Sequence, residues 1–235
     1  MRRAIRLLGT LMTVAGLATL AWALVVWKWQ DPFSYVANHV EQRELSSRYE
    51  QRERRLLASE SPTTRGTRSL VAVKRSLRVD AMRYRQALEP GQPLGRLLVP
   101  RMGLNAIVVM GTDREALKKG PGWEPRTWLP GEGRLVYVAG HRTTYGAPFS
   151  HIDALRPGDR VTLELPYAAF EYRVTGHRIV AATYLAALRS RGREEIALQA
   201  CWPRFFASQR YIAYARPVRV MPRGRRAYTP RRAAS

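Results

Sequence analysis

The only cysteine of the chain, Cys201, lies in the run ALQACWPRFFASQR, sixty residues after His141 and nine before Arg210. A single cysteine makes no internal disulfide, so its uses are nucleophilic chemistry or packing as a small hydrophobe. A thiol of ordinary pKa is mostly un-ionised at neutral pH and becomes a strong nucleophile only beside a base or a cation. A histidine distant in sequence can be the proton partner, and an arginine can face negative charge as it develops. Cys201, His141 and Arg210 are therefore the candidate set, and its use depends on whether the fold brings them together.

Their local settings are alike. Cys201 ends the apolar strand pattern Ile196-Ala197-Leu198, and the following Trp202-Pro203 pair takes the chain out of a sheet, because proline donates no ladder hydrogen bond. His141 follows the apolar run Leu135–Ala139 through Gly140 and opens the loop HRTTYGAPF, while Arg210 begins the pattern Tyr211–Ala215. All three sit at strand ends, where a barrel exposes reactive groups at its rim. The plainer readings are a buried small side chain, a turn histidine bonded to local backbone, and one more surface arginine. His151 and His177 are rival bases, although neither follows a strand-end glycine. His39 has no companions and is assigned no chemistry.

The elements that must position these residues begin near Leu94. Seven stretches read as short strands: Arg96–Pro100, Asn105–Met110, Arg134–Gly140, Arg160–Leu165, Glu171–Ile179, Glu195–Cys201 and Arg210–Val220. Turns such as Arg156-Pro157-Gly158-Asp159 separate them. Asp113–Lys119 reads as a short helix, with Thr112 or Asp113 as N-cap and Gly120 as its stop. Regularly spaced strands with few helices predict a closed barrel or a sandwich. Before this region, residues 38–60 mix Arg and Glu at helical spacing around a thin stripe of Val40, Leu45, Tyr49 and Leu56, which predicts a solvated stalk. Residues 61–93, with Pro62, Gly66, Pro90, Gly91 and Pro93 around a short amphipathic stretch, read as a linker. The tail from Arg216 holds seven arginines and no acid, and is expected to be disordered beyond the last strand.

The net charge of +22 is carried almost wholly by arginine and points to a polyanionic partner: nucleic acid, an anionic membrane face or an acidic polymer. The N-terminus narrows this choice. Leu7–Trp27 is free of charged side chains, and at about 1.5 Å per residue such a helix spans the hydrocarbon core of a bilayer. Arg2, Arg3 and Arg6 precede it and only Lys28 closely follows, which predicts a cytoplasmic N-terminus and an external remainder. Trp22, Trp27 and Trp29 gather at the outer end, where indole rings favour the interface. A cleaved signal peptide is the rival, with Ala21-Trp22-Ala23 as its cut site. Leu24–Trp27 carries the apolar run past that site, so an uncleaved anchor is expected. That topology disfavours a nucleic-acid partner.

Taken jointly, HRTTYGAPF, then Leu198-x-x-Cys201 with Pro203 two residues on, then Arg210, resemble a sortase. Tyr145 in the histidine loop is similar to the class E branch of high-GC actinobacteria. The resemblance covers roughly residues 94–220, and GPGWEPRTWLPGEG and HIDALRPGD also fit it.

The resemblance implies a mainly β fold, an eight-stranded sortase-type barrel with short helices, preceded by a transmembrane helix and a helical stalk. Its expected divisions are residues 1–29 as anchor, 30–93 as stalk and linker, 94–221 as catalytic domain and 222–235 as basic tail. It implies a cysteine transpeptidase in a Gram-positive cell membrane, catalytic domain outside, cleaving a Leu-Pro-x-Thr-Gly or Leu-Ala-x-Thr-Gly signal on secreted proteins. Cys201 would attack the Thr carbonyl, His141 would protonate the leaving Gly amine, and Arg210 would position the carbonyl and balance the oxyanion. An amine of the peptidoglycan precursor would resolve the thioester. Tyr145, Ala200 and Trp202 are the expected substrate-binding residues. Ala200 stands where most sortases carry Thr, and Trp202 is bulky where smaller or polar residues are common. No Cys/His spacing implies a metal, and no cofactor is expected. The contrasting reading is a membrane-tethered binder of anionic cell-wall polymer. A thiol hydrolase without transfer is a further alternative.

Overall fold

The computed structural model describes residues 2–29, 32–59, 69–224 and 227–230. The apolar alternation beyond Leu88 is realised as β1 (Pro93–Val99), β2 (Leu104–Met110), β3 (Gly122–Trp123), β4 (Leu135–Ala139), β5 (Arg160–Leu165), β6 (Ala168–Ala181), β7 (Glu195–Trp202) and β8 (Gln209–Pro222). They close into a barrel in the order β1-β2-β3-β4-β7-β8-β6-β5. Most neighbours are antiparallel, but β2–β3 and β4–β7 are parallel. The expected eight-stranded barrel is present. Its strand without a sequence pattern is β3, whose two residues bridge β2 to β4.

The interior is filled by side chains from alternate strand positions, among them Leu97, Val136, Val138, Phe170, Tyr172, Ile196 and Leu198. The parallel β4–β7 pair matters most for the site. Leu135 pairs with Glu195 and Ala139 with Gln199, and Gly140 N–H donates to the Gln199 carbonyl at 2.9 Å. Sixty residues of sequence separation are thereby reduced to adjacent strand ends.

Among the described residues, four α-helices accompany the barrel. In α1 (Arg2–Trp29), the apolar side chains described are exposed along its length, and Arg2–Leu24 is long and apolar enough to cross a membrane. In α2 (Pro32–Ser59), Leu45 and Tyr49 bury against Ile107, Val109 and Ala116, so this helix lies on the barrel and is not a free solvated stalk. Val40 of the expected stripe is exposed, and the side chain of Leu56 lies outside the described residues.

The expected linker contains α3 (Leu70–Gln86), capped by the Ser69 hydroxyl, which accepts from Ala72 N–H. Val73, Leu77, Ala81 and Tyr84 recur at helical spacing and are buried, the last three within the barrel's own core, and Tyr84 donates its hydroxyl hydrogen to the Leu94 carbonyl at 2.7 Å. Pro62 and Gly66 lie outside the described residues. Helix α4 (Arg114–Lys119) begins at Asp113, whose carboxylate accepts from Glu115 and Ala116 N–H, both at 3.0 Å. At the other terminus Tyr228 pairs with Val220 and packs against the core. Part of the expected disordered tail is thus ordered, while residues 225–226 and 231–235 lie outside the described residues.

Candidate active site

Cys201 stands on the second-last position of β7, directly opposite Arg210 on β8. Side chains alternate across a strand, so Ile196, Leu198 and Ala200 enter the barrel interior, while Ala197, Gln199 and Cys201 face outward. The reactive face is therefore the outer surface of β4-β7-β8 at the rim where β4 and β7 end and β8 begins. A second apolar cluster of Leu135, Tyr137, Ala187, Ala197 and Ile212 floors this surface. Above it opens a cavity of about 290 Å³ whose lining includes His141, Cys201 and Arg210. The three candidates meet on one cavity. His151 and His177 do not line it: His151 is exposed, and His177 stacks on Tyr211 at 4.7 Å.

His141 is placed by a tight loop. A Cβ on Gly140 would lie 2.8 Å from the Phe149 ring, so only glycine permits that approach, and Phe149 N–H closes the loop on the His141 carbonyl at 3.0 Å. Burial holds the imidazole pKa below its usual value, which favours the neutral form. Its Nε2 is buried with no hydrogen-bond partner among the described residues. The neutral ring can thus receive a proton from a group entering the cavity. Tyr145 reaches the same ring, with centroids 5.0 Å apart, from a left-handed backbone (φ 50°).

Arg210 Nη1 donates to the carbonyls of Ala207 and Gln209 at 2.8 and 2.9 Å. This anchors one arm of the guanidinium in the β7–β8 loop. The remaining donors, Nε and Nη2, can meet an anionic oxygen beside Cys201.

Two expected substrate-binding residues are placed away from the cavity by the two-residue strand period. Ala200 is fully buried in the interior cluster, and Trp202 packs against that same cluster, not along the cavity. Both sit on the face of β7 opposite to Cys201, so neither side chain lines the groove.

Four residues were not singled out in sequence. Arg142, 4 % exposed, pairs with Asp153 at 2.7 Å, lies over the Trp202 ring at 4.4 Å and donates to the Cys201 carbonyl at 3.5 Å. It ties the histidine loop to the cysteine strand. On the cavity wall, Glu124 forms a two-pronged pair with Arg126 at 2.8 and 3.0 Å and accepts the Thr112 hydroxyl at 2.7 Å. These bonds hold its carboxyl below the usual carboxylate range. The signals were present as Arg142 beside His141 and as the acid-base pair within GWEPRT. Among the described residues no group of three His, Cys, Asp or Glu side chains could hold a metal ion.

A closed barrel with thiol, imidazole and guanidinium gathered on one outer cavity defines a class of proteins equipped for cysteine chemistry. A sequence model described as the Sortase domain matches residues 97–218, just over half of the chain, and the chain belongs to the sortase family. It is 33% identical over 135 residues to Sortase D of Bacillus subtilis (strain 168), a match covering 55% of this chain and 66% of that protein, just under two thirds. The structure of sortase E from Streptomyces avermitilis is 32% identical, with a TM-score of 0.52, covering 57% of this chain and 93% of the other. A Clostridium perfringens sortase D5 transpeptidase shares the fold at 17% identity and a TM-score of 0.58, covering 76% and 99% of the two chains. Likeness to class E is thus matched by likeness to a sortase D.

Proposed function

We propose that this protein is a membrane-anchored cysteine transpeptidase that cleaves a Leu-Pro-x-Thr-Gly-like or Leu-Ala-x-Thr-Gly-like sorting signal between Thr and Gly. The observation that carries the reading is the union of Cys201, His141 and Arg210 on one cavity of the outer barrel face. Cys201 Sγ attacks the Thr carbonyl carbon and forms a C–S bond. Negative charge moves to the carbonyl oxygen, where Arg210 offsets it, a role in which one preorganised donor contributes about 3 kcal/mol. Collapse breaks the Thr–Gly C–N bond, and the thiol proton, carried by His141, passes to the departing Gly amine. An incoming amine then attacks the thioester, gives a proton to His141 and forms the new amide as the C–S bond breaks and the proton returns to sulfur. Substrates would be secreted proteins bearing the signal, and the acceptor an amine of the peptidoglycan precursor.

Helix α1 supports the anchor, and its flanking arginines support a barrel outside the cytoplasmic membrane. Product analysis with increasing acceptor amine tests the transfer: ligated peptide should displace hydrolysed peptide as the amine rises. Hydrolysis alone at saturating amine would make the protein a peptidase instead.

A further inference from the structure

Helix α2 gives the barrel a direction. Near its start, Asn38 Nδ2 donates to the carbonyls of Lys118 and Lys119 at 3.1 and 3.3 Å. The same side chain packs on Gly146 of the histidine loop, where a Cβ would lie 2.5 Å from its amide oxygen. Fifteen residues on, Glu53 pairs with Arg223, just past the end of β8 and so on the opposite rim. At 1.5 Å per residue these points are about 22 Å apart. Asn38 is in turn about 9 Å along α2 from Pro32. Pro32 follows the last residue of α1 by three positions, a step of at most about 11 Å. The rim carrying His141 and Cys201 is therefore the rim beside the apolar helix.

That rim presents an apolar edge. In the β7–β8 loop, residues 203–208, Phe205 is 59% and Phe206 is 81% exposed. On the cavity lining Leu185 is 66% exposed, and Tyr184 beside it is also exposed. The loop backbone is tied to its surroundings at both ends. Phe205 and Ala207 hold left-handed φ angles of 69° and 52°, Ala207's carbonyl accepts from Arg210, and Arg204 donates to the Ser150 carbonyl at 3.1 Å. Between Cys201 and Arg210 the charged side chains are Arg204 and Arg210, with no acid among them. Aromatic rings interleaved with arginine suit the boundary between headgroups and acyl chains, where the rings leave water and the cations meet phosphate.

We propose that the β7–β8 loop, led by Phe205 and Phe206, inserts into the interface of the bilayer that α1 crosses and holds the cavity mouth at the lipid surface. This rests on the anchor reading of α1. An acceptor amine carried on a lipid would then reach Cys201 along the membrane surface.

The test uses the full chain with Cys201→Ala, so that one introduced cysteine can carry an environment-sensitive fluorophore. Phe206→Cys labels the loop; Arg78→Cys, an exposed α3 position beside the start of β4, labels the far rim. Each is reconstituted into vesicles of phosphatidylcholine and phosphatidylglycerol, with and without lipids bearing a quencher high on the acyl chain. The expected result is a blue-shifted label at position 206, quenched several-fold more strongly than that at 78. Equal, weak quenching at both positions overturns the proposal. So does a blue shift at 206 without lipid quenching, which would mean that protein covers the loop. A chain that fails to float with the vesicles removes the anchor and this proposal together, whereas flotation without quenching removes this proposal alone. Because the variants lack Cys201, none of these outcomes depends on the transfer chemistry.

Discussion

Cys201 and Arg210 are direct cross-strand partners on the antiparallel β7–β8 pair. Opposed residues in such a pair have Cβ atoms about 5 Å apart, so the two side chains leave the ladder from neighbouring points. The arginine is fixed further by its bonds to the Ala207 and Gln209 carbonyls. The tight β7–β8 connection thus sets both the nucleophile and the cation that faces it.

Arg210→Ala should lower kcat by about 10²- to 10³-fold while thermal unfolding stays near wild type. Arg210→Lys should recover little of this, since one ammonium replaces a planar fork that must hold two carbonyls and still face the substrate. Steady-state kinetics on a signal peptide check both. Full activity in Arg210→Lys would show that a point charge suffices.

His141 should make the fold acid-sensitive. Burial lowers its folded pKa below the unfolded value of about 6.5, so the unfolded chain binds the proton more readily. Its contribution is intact above that value and is lost as pH falls below it. His141→Gln should flatten this dependence, so that wild-type Tm drops more than the variant's between pH 7.5 and 5.5 (the range chosen to bracket the unfolded pKa). Parallel Tm curves would contradict the burial effect.

Glu194 predicts the opposite trend. Burial pushes its carboxyl up to about 7 despite hydrogen bonds from Gly131 N–H, Gly133 N–H and the Tyr172 hydroxyl. The neutral acid is therefore favoured in the fold. That stability is present below the unfolded pKa near 4.5 and is lost as pH rises through about 7. Glu194→Gln, whose carbonyl keeps the two backbone bonds, should be more stable than wild type at alkaline pH and converge on it in acid. Denaturant titrations across this range check the sign.

Helix α3 should behave as part of the barrel. Leu77→Ala removes a side chain that is 1 % exposed within the main core and should cost about 2–5 kcal/mol. A chain shortened to begin at residue 90 should unfold well below one beginning at Ser69. Equal Tm values would mean that α3 is dispensable.

The barrel was legible because strands such as Leu135–Ala139 and Ile196–Leu198 are apolar runs bounded by turn residues. Two-residue β3 leaves no such run. Helix α3 was hidden by its composition, since Arg75, Arg78, Arg83 and Arg85 surround a modest stripe and Pro/Gly clusters flank it. The site residues could be named one by one. Their meeting depends on the parallel β4–β7 register, a long-range pairing that no local pattern specifies. The faces of Ala200 and Trp202 were within reach, because alternation alone sets both opposite to Cys201.

The most direct measurement of the central claim is intact-mass analysis of the detergent-solubilised full chain after brief exposure to Leu-Pro-x-Thr-Gly and Leu-Ala-x-Thr-Gly peptides. The account predicts an adduct equal to the peptide acylated through Thr, carried as a thioester on Cys201, released as a new amide on adding an amine, and absent from Cys201→Ala. A folded wild-type chain that forms no adduct with any Thr-Gly peptide, or an adduct that persists in Cys201→Ala, would contradict it.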